Sequence, residues 1–206
     1  LARSSMKEIV RIAESVGAWI LSDEIYRVAE HDGELTPSFW GTYDKVIVTC
    51  GLSKAFALPG LRLGWILAPE ETVAHVWRYH DYMTIAAGTI NDALACIALK
   101  PEMRERIFGR NRALAAKNLG IFSEWVREQG GIVDFNPPQA GSFAFVRYNR
   151  AIKSRELVDR MMKEESVFVV PGDCFGLENH LRISFGTRAG YLREGLERIS
   201  KVLKRL

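Results

Sequence analysis

The chain has 206 residues, 48% hydrophobic and 26% charged, the proportions of an ordinary globular protein, which exclude collagen, coiled coil and global disorder. Its 28 Lys and Arg against 25 Asp and Glu leave a net charge of +3, with the basic residues scattered, so no nucleic-acid partner is indicated. No stretch approaches the roughly 20 apolar residues of a membrane span, and Leu1 to Lys7 lack a secretion pattern, so a cytoplasmic protein without a membrane partner is expected.

In chain order, Ser5 with Glu8 three residues on reads as a capping box, and Ile9, Ile12, Ala13 and Val16 recur at helical spacing until Gly17. Three apolar runs, 18–21, 46–48 and 63–68, lack alternation and read as strands covered on both faces. Helix, strand, connection and strand predict an open α/β sheet, whose ligands lie beyond the carboxyl ends of the strands. Asp23 and Lys54 each fall just past such an end. Helices are expected over 70–82, 91–99 and, long and amphipathic, 102–129, where Gly130-Gly131 stops the pattern. Short strands at 132–135 and 142–147 flank the turn Asn136-Pro137-Pro138. A helix capped by Ser154, strands at 167–170 and 181–185, and a last helix through Leu192, Leu196, Ile199 and Leu203 complete the chain. A boundary near Pro101 divides it into a domain over 1–101 and a smaller α+β domain over 102–206.

Some residue types offer little chemistry. Cys50, Cys96 and Cys174 are odd in number and without paired spacing, which predicts free thiols. His31, His75, His80 and His180 show no ligand spacing, and no metal is expected. Trp77, Tyr79 and Tyr82 read as packing or a subunit interface. The informative stretch is Gly51-Leu52-Ser53-Lys54, with Arg62 eight residues after the lysine among Gly60 and Gly64. It sets an amine beside a guanidinium that can grip an anion bidentately, with glycines that allow close backbone approach. Asp23 ends an apolar run, where a carboxylate needs a partner. It either caps a turn or faces a cationic ring nitrogen, with the Tyr26 phenol nearby.

These segments resemble the class I/II aminotransferases among the fold type I pyridoxal-phosphate enzymes. The lysine segment is similar to the family's attachment site, Ser22-Asp23-Glu24-Ile25-Tyr26 to its strand motif, and 170–176 with 181–185 to its third signature. The resemblance implies part of a mostly parallel large-domain sheet followed by the small C-terminal domain. It implies pyridoxal 5'-phosphate held by Lys54 as an internal aldimine, with Arg62 on the phosphate, Asp23 on the pyridinium nitrogen and Tyr26 on the phenolic oxygen. The freed Lys54 amine would move the reaction's proton, and Arg182 would take the substrate α-carboxylate. The family often has a serine where this chain has Gly51, so Ser53 or a backbone N–H stands in as the phosphate ligand. The 176–181 loop is also short. The implied activity is transfer of an amino group from an α-amino acid to a 2-oxo acid by a homodimer. Alternatives are a lyase, cyclase or synthase of the same fold, or a non-catalytic remnant. The resemblance covers the later half of such an enzyme, so the chain is expected to be a fragment.

Overall fold

The computed structural model describes residues 1–32 and 34–206, which cluster into two compact units, Leu1–Arg112 and Ala113–Leu206. Unit 1 holds α1 (Arg3–Val16), β1 (Ile20–Asp23), β2 (Val46–Gly51), β3 (Gly64–Leu67), α2 (Glu70–Met83) and α3 (Thr89–Ala98). Helix α4 (Pro101–Glu128) crosses the division. Unit 2 holds β4 (Val133–Phe135), β5 (Phe143–Tyr148), α5 (Ser154–Glu165), β6 (Val170–Pro171), β7 (His180–Ser184) and α6 (Ala189–Lys204).

Helix α1 forms because Val10 and Ala13 share an apolar face that packs on Ile20, Val46 and Val48. Gly17 ends it in the left-handed region (φ 66°), its N–H reaching the carbonyls of Ala13 and Glu14. The expected capping box does not form. Ser5 is already the third helical residue, Ala2 is the N-cap, and Glu8 accepts instead from Arg11 at 3.0 and 2.6 Å. Strand β2 is central, parallel to β1 and antiparallel to β3. The expectation that these strands are covered on both faces is corrected. Among the described residues Leu21, on the face opposite α1, stays 70% exposed, and the outer edges of β1 and β3 have no strand partner.

Unit 2 is a four-stranded sheet in the order β4-β5-β7-β6, antiparallel throughout. Alternate residues Ala144, Val146 and Tyr148 of β5 and Leu181 and Ile183 of β7 point into one core with Phe122 and Trp125 of α4, Leu157 and Met161 of α5, and Leu196 and Leu203 of α6. Asn118, fully buried on α4, donates to the carbonyls of Phe185 and Thr187 at 2.6 Å each and fastens the end of β7. The sixth strand is shorter than expected, two residues instead of 167–170, because only Val170 and Pro171 pair with β7. Ser154 is not the N-cap of α5 but its first residue; Lys153 takes that place.

Candidate functional site

Because β1 and β2 are parallel neighbours, their carboxyl ends lie side by side, with Asp23 opposite Thr49. Asp23, which ends an apolar run, is exposed. Its Oδ1 accepts from the Ile25 N–H at 3.1 Å and the Thr49 hydroxyl at 3.4 Å, while no hydrogen bond from a described residue reaches Oδ2. Tyr26 follows in the next turn and is exposed. Between them Glu24, not singled out by the sequence, is the hub of this end of the sheet. Its Oε1 accepts from Ser22 (3.3 Å), Ser38 (2.8 Å) and the Phe39 N–H (3.0 Å), tying the 38–39 segment to the end of β1.

Beyond β2 the chain turns tightly through 52–58. The Leu52 N–H donates to the Leu63 carbonyl, the Leu58 N–H to that of Leu52, and the Ala57 N–H to that of Lys54. Leu52, Ala55 and Phe56 are buried together with Ala95 and Phe108. Flanked by residues held inward, Lys54 projects to solvent, and no described residue pairs with it. Asn111 of α4 donates to the Ala55 carbonyl at 2.9 Å, pinning the residue beside the lysine. Ser53 is half-buried in the same turn. Arg62, exposed and left-handed (φ 53°), follows a short 3-10 turn, one guanidinium nitrogen donating to the Pro59 carbonyl at 3.0 Å.

The glycines of this segment do something other than admit a ligand. A Cβ on Gly51 would lie 2.9 Å from the Leu63 carbonyl oxygen and 3.1 Å from Gly64 Cα, and one on Gly64 would lie 2.7 Å from the Cys50 carbonyl. The two face each other across β2 and β3, so each lacks a side chain because the other backbone occupies its space. This is the physical reason for glycine at position 51. Burial pushes the neighbouring Cys50 thiol up, away from thiolate reactivity.

Arg182 belongs to unit 2. It sits mid-β7 on the face away from the core, opposite Phe145 and Val170. Its guanidinium carbon lies 3.8 Å from the centroid of Phe143 and 6.0 Å from that of Phe175, and no carboxylate among the described residues pairs with it. A groove of about 410 Å³ opens beside it, between 166–170 and α6. The sequence thus brought five of its six candidates, Asp23, Tyr26, Ser53, Lys54 and Arg62, to one end of the unit 1 sheet, and set the sixth on the open face of the unit 2 sheet.

The family described as aminotransferase class I and II matches residues 1–199. The chain belongs to it. Among curated members, the aromatic-amino-acid aminotransferase 2 of Thermococcus litoralis is 31% identical over 99% of this chain and 54% of its own length. Capreomycidine synthase of Streptomyces vinaceus is 29% identical over 98% and 50%. The crystal structure of a PLP-dependent aminotransferase from Streptococcus suis superposes with a TM-score of 0.92 at 35% identity, over the whole of this chain and 54% of that one. The chain therefore has the α/β architecture of the fold type I enzymes, and it spans about half the length of the curated relatives it matches. Pyridoxal 5'-phosphate is the cofactor that membership of the class I and II aminotransferases brings with it. Two features of this aminotransferase chain escaped sequence reasoning. Glu24 lies inside a motif read only for its aspartate and tyrosine, and Asn111 is 56 residues from the carbonyl it holds. Neither has a local sequence signal.

Proposed function

We propose that this chain serves a pyridoxal-phosphate-dependent transfer of an amino group from an α-amino acid to a 2-oxo acid, in the cytoplasm and as a homodimer. The observation that carries the reading is that an uncommitted amine, Lys54, and an exposed carboxylate, Asp23, both stand at the carboxyl ends of two adjacent parallel strands. The donor set fits the cofactor: a carboxylate with one oxygen open, a phenol, a primary amine and a guanidinium, none held in an ion pair by a described residue. When bound, the cofactor supplies an electron sink that stabilises negative charge at the substrate α-carbon. Lys54 Nζ would hold its aldehyde carbon and, once released, carry the proton from the substrate α-carbon. Asp23 Oδ2 would keep the ring nitrogen protonated by pairing with it. The Tyr26 hydroxyl would donate to the ring oxygen, and Arg62, with Ser53, would grip the phosphate. Arg182, its planar fork already oriented by Phe143, would take the α-carboxylate in two parallel hydrogen bonds and so fix which α-bond is cleaved. The exposed aromatic run of α2, with Tyr82 at 92%, supports the homodimer.

The test is borohydride reduction of the chain incubated with pyridoxal 5'-phosphate, followed by peptide mass spectrometry. The expected result is an adduct on Lys54 that disappears in Lys54→Ala; an adduct on another side chain, or none, overturns the assignment. The similarity to a synthase favours a second reading, elimination or cyclisation at the same site. Release of one 2-oxo acid per chain without ammonia separates transfer from it.

A further inference from the structure

On the open face of the unit 2 sheet, two aromatic rings flank the Arg182 guanidinium. Phe143 lies under its guanidinium and Phe175 stands on the other side of the sheet residue Phe145, which it meets edge-on at 5.6 Å and 89°. Phe145 in turn stacks on His180 at 5.1 Å. Phe143, Phe145 and His180 are fixed by strand register. Phe175 is not; it rides on the 3-10 turn 172–175, and it is 51% exposed.

Close packing and a set of hydrogen bonds hold that turn. Gly172 is pressed so closely against its surroundings that a Cβ would lie 2.2 Å from the Leu177 carbonyl and 2.7 Å from that of His180. The hydrogen bonds are at the start of α5. Ser154, fully buried, donates both its N–H and its hydroxyl to Glu178 Oε2 at 3.0 Å, and its hydroxyl oxygen accepts from the Asp173 N–H at 3.2 Å. Arg155 adds an ion pair to Asp173 at 3.0 Å. Residues 173 and 178 are the two ends of the loop that carries Phe175. A single buried serine therefore fastens both ends to one helix terminus. Here a side chain from outside the helix satisfies the orphan amide of Ser154. The Ser154 donors hold the Glu178 carboxyl below its usual range, consistent with an engaged rather than a free carboxylate.

We infer that Glu178, through Ser154 and the loop it closes, is a positioning residue for Arg182: it keeps Phe175 at 6.0 Å from the guanidinium, the outer reach of a cation–π contact, as a second ring beside the closer Phe143, so that the planar fork is presented to a carboxylate already oriented. This rests on the proposal that Arg182 receives the substrate carboxylate. Rings over a guanidinium attract it, restrict its rotation and leave its N–H edges free for an in-plane carboxylate. A loosened Phe175 returns that freedom, which must then be lost on binding.

The experiment follows the Arg182 Nε–Hε resonance by nuclear magnetic resonance in the full chain, and titrates it with 3-phenylpropionate as a plain carboxylate. Phe175→Ala and Glu178→Ala are expected to shift the free resonance, speed rotation about the Nε–Cζ bond and weaken 3-phenylpropionate roughly two- to fivefold, the range of an exposed cation–π contact. Phe175→Tyr keeps the ring and Glu178→Gln keeps an acceptor for Ser154, so both should stay near the unsubstituted chain. A purely structural role would leave the Arg182 resonance in place while lowering the melting temperature, and that outcome overturns the inference. Arg182→Ala separates the two levels. If it weakens the carboxylate and the Phe175 and Glu178 variants do not, the positioning role fails and the substrate reading stands. If it changes nothing, the substrate reading fails and takes the inference with it.

Discussion

Among the described residues, unit 2 gathers twenty buried side chains into one continuous cluster, whereas unit 1 divides its clustered buried side chains into groups of five and four. The difference teaches where rigidity comes from in each. In unit 2 the candidate carboxylate-binding residue stands on a sheet whose far side is a dense core, so strand register sets its place and the rings of Phe143 and Phe175 flank its guanidinium. In unit 1 the carboxylate stands at the end of β1 and the amine on a turn, and these are held by the three bonds Glu24 accepts, by one bond from Asn111 and by one pair of opposed glycines. Local opening follows buried apolar contact, so the unit 1 sheet should exchange its amides before the unit 2 sheet does.

The sharpest way to break this comparison is Phe185→Ala. Phe185 is fully buried in the unit 2 cluster, and its removal should cost about 3–5 kcal/mol, read as faster amide exchange in β7 and α6 with β2 unchanged. Equal acceleration in β2 would show that the two units unfold as one. Next comes Gly51→Ser, which drives a side chain into β3. An overpacking penalty of about 1–3 kcal/mol is expected, confined to β2 and β3, and unaltered stability would mean the strands separate easily. Asn111→Ala, which removes the bond to the Ala55 carbonyl, should cost about 1 kcal/mol and show as faster exchange at Ala57 and slower borohydride trapping at Lys54, with β7 silent. The smallest effect is a pH dependence. The Glu178 carboxyl is held below the usual glutamate range in the folded chain by Ser154, so its contribution is complete above the unfolded value of about 4.3 and fades as pH falls through the lower folded value. Exchange at the Ser154 amide should rise over that acidic interval and stay flat across neutral pH, and Glu178→Gln should abolish the rise.

Element identity was legible where periodicity was strong. The apolar spacing of Leu192, Leu196, Ile199 and Leu203 gave α6, and Gly17 gave the end of α1, because helix burial and left-handed termination leave a mark within one or two turns. The candidate groups were legible for a different reason. Lys54, Asp23 and Arg62 stand at strand ends and turns, where backbone geometry rather than a remote partner sets their place. What stayed hidden depends on contacts far apart in the chain. Nothing near Glu24 announces Ser38 and Phe39, and nothing near Asn111 announces Ala55. Ser5 and Ser154 both looked like helix caps, yet each helix begins earlier than its pattern suggested, so Ser5 lies inside its first turn and Ser154 bonds to Glu178 instead. Gly51 read as a missing phosphate ligand, and only the approach of Gly64 explains it.

The outer edge of β1, which no strand among the described residues pairs with, carries a practical consequence. A strand with free amides and carbonyls beside a solvent-facing Leu21 is a template for another strand. Light scattering by the purified chain is therefore expected to rise with concentration, and Leu21→Lys to suppress that rise; a flat concentration series for the unsubstituted chain would refute it. Colloidal behaviour, on this view, is governed by a ribbon of four residues rather than by the well-filled interior at the other end of the polypeptide.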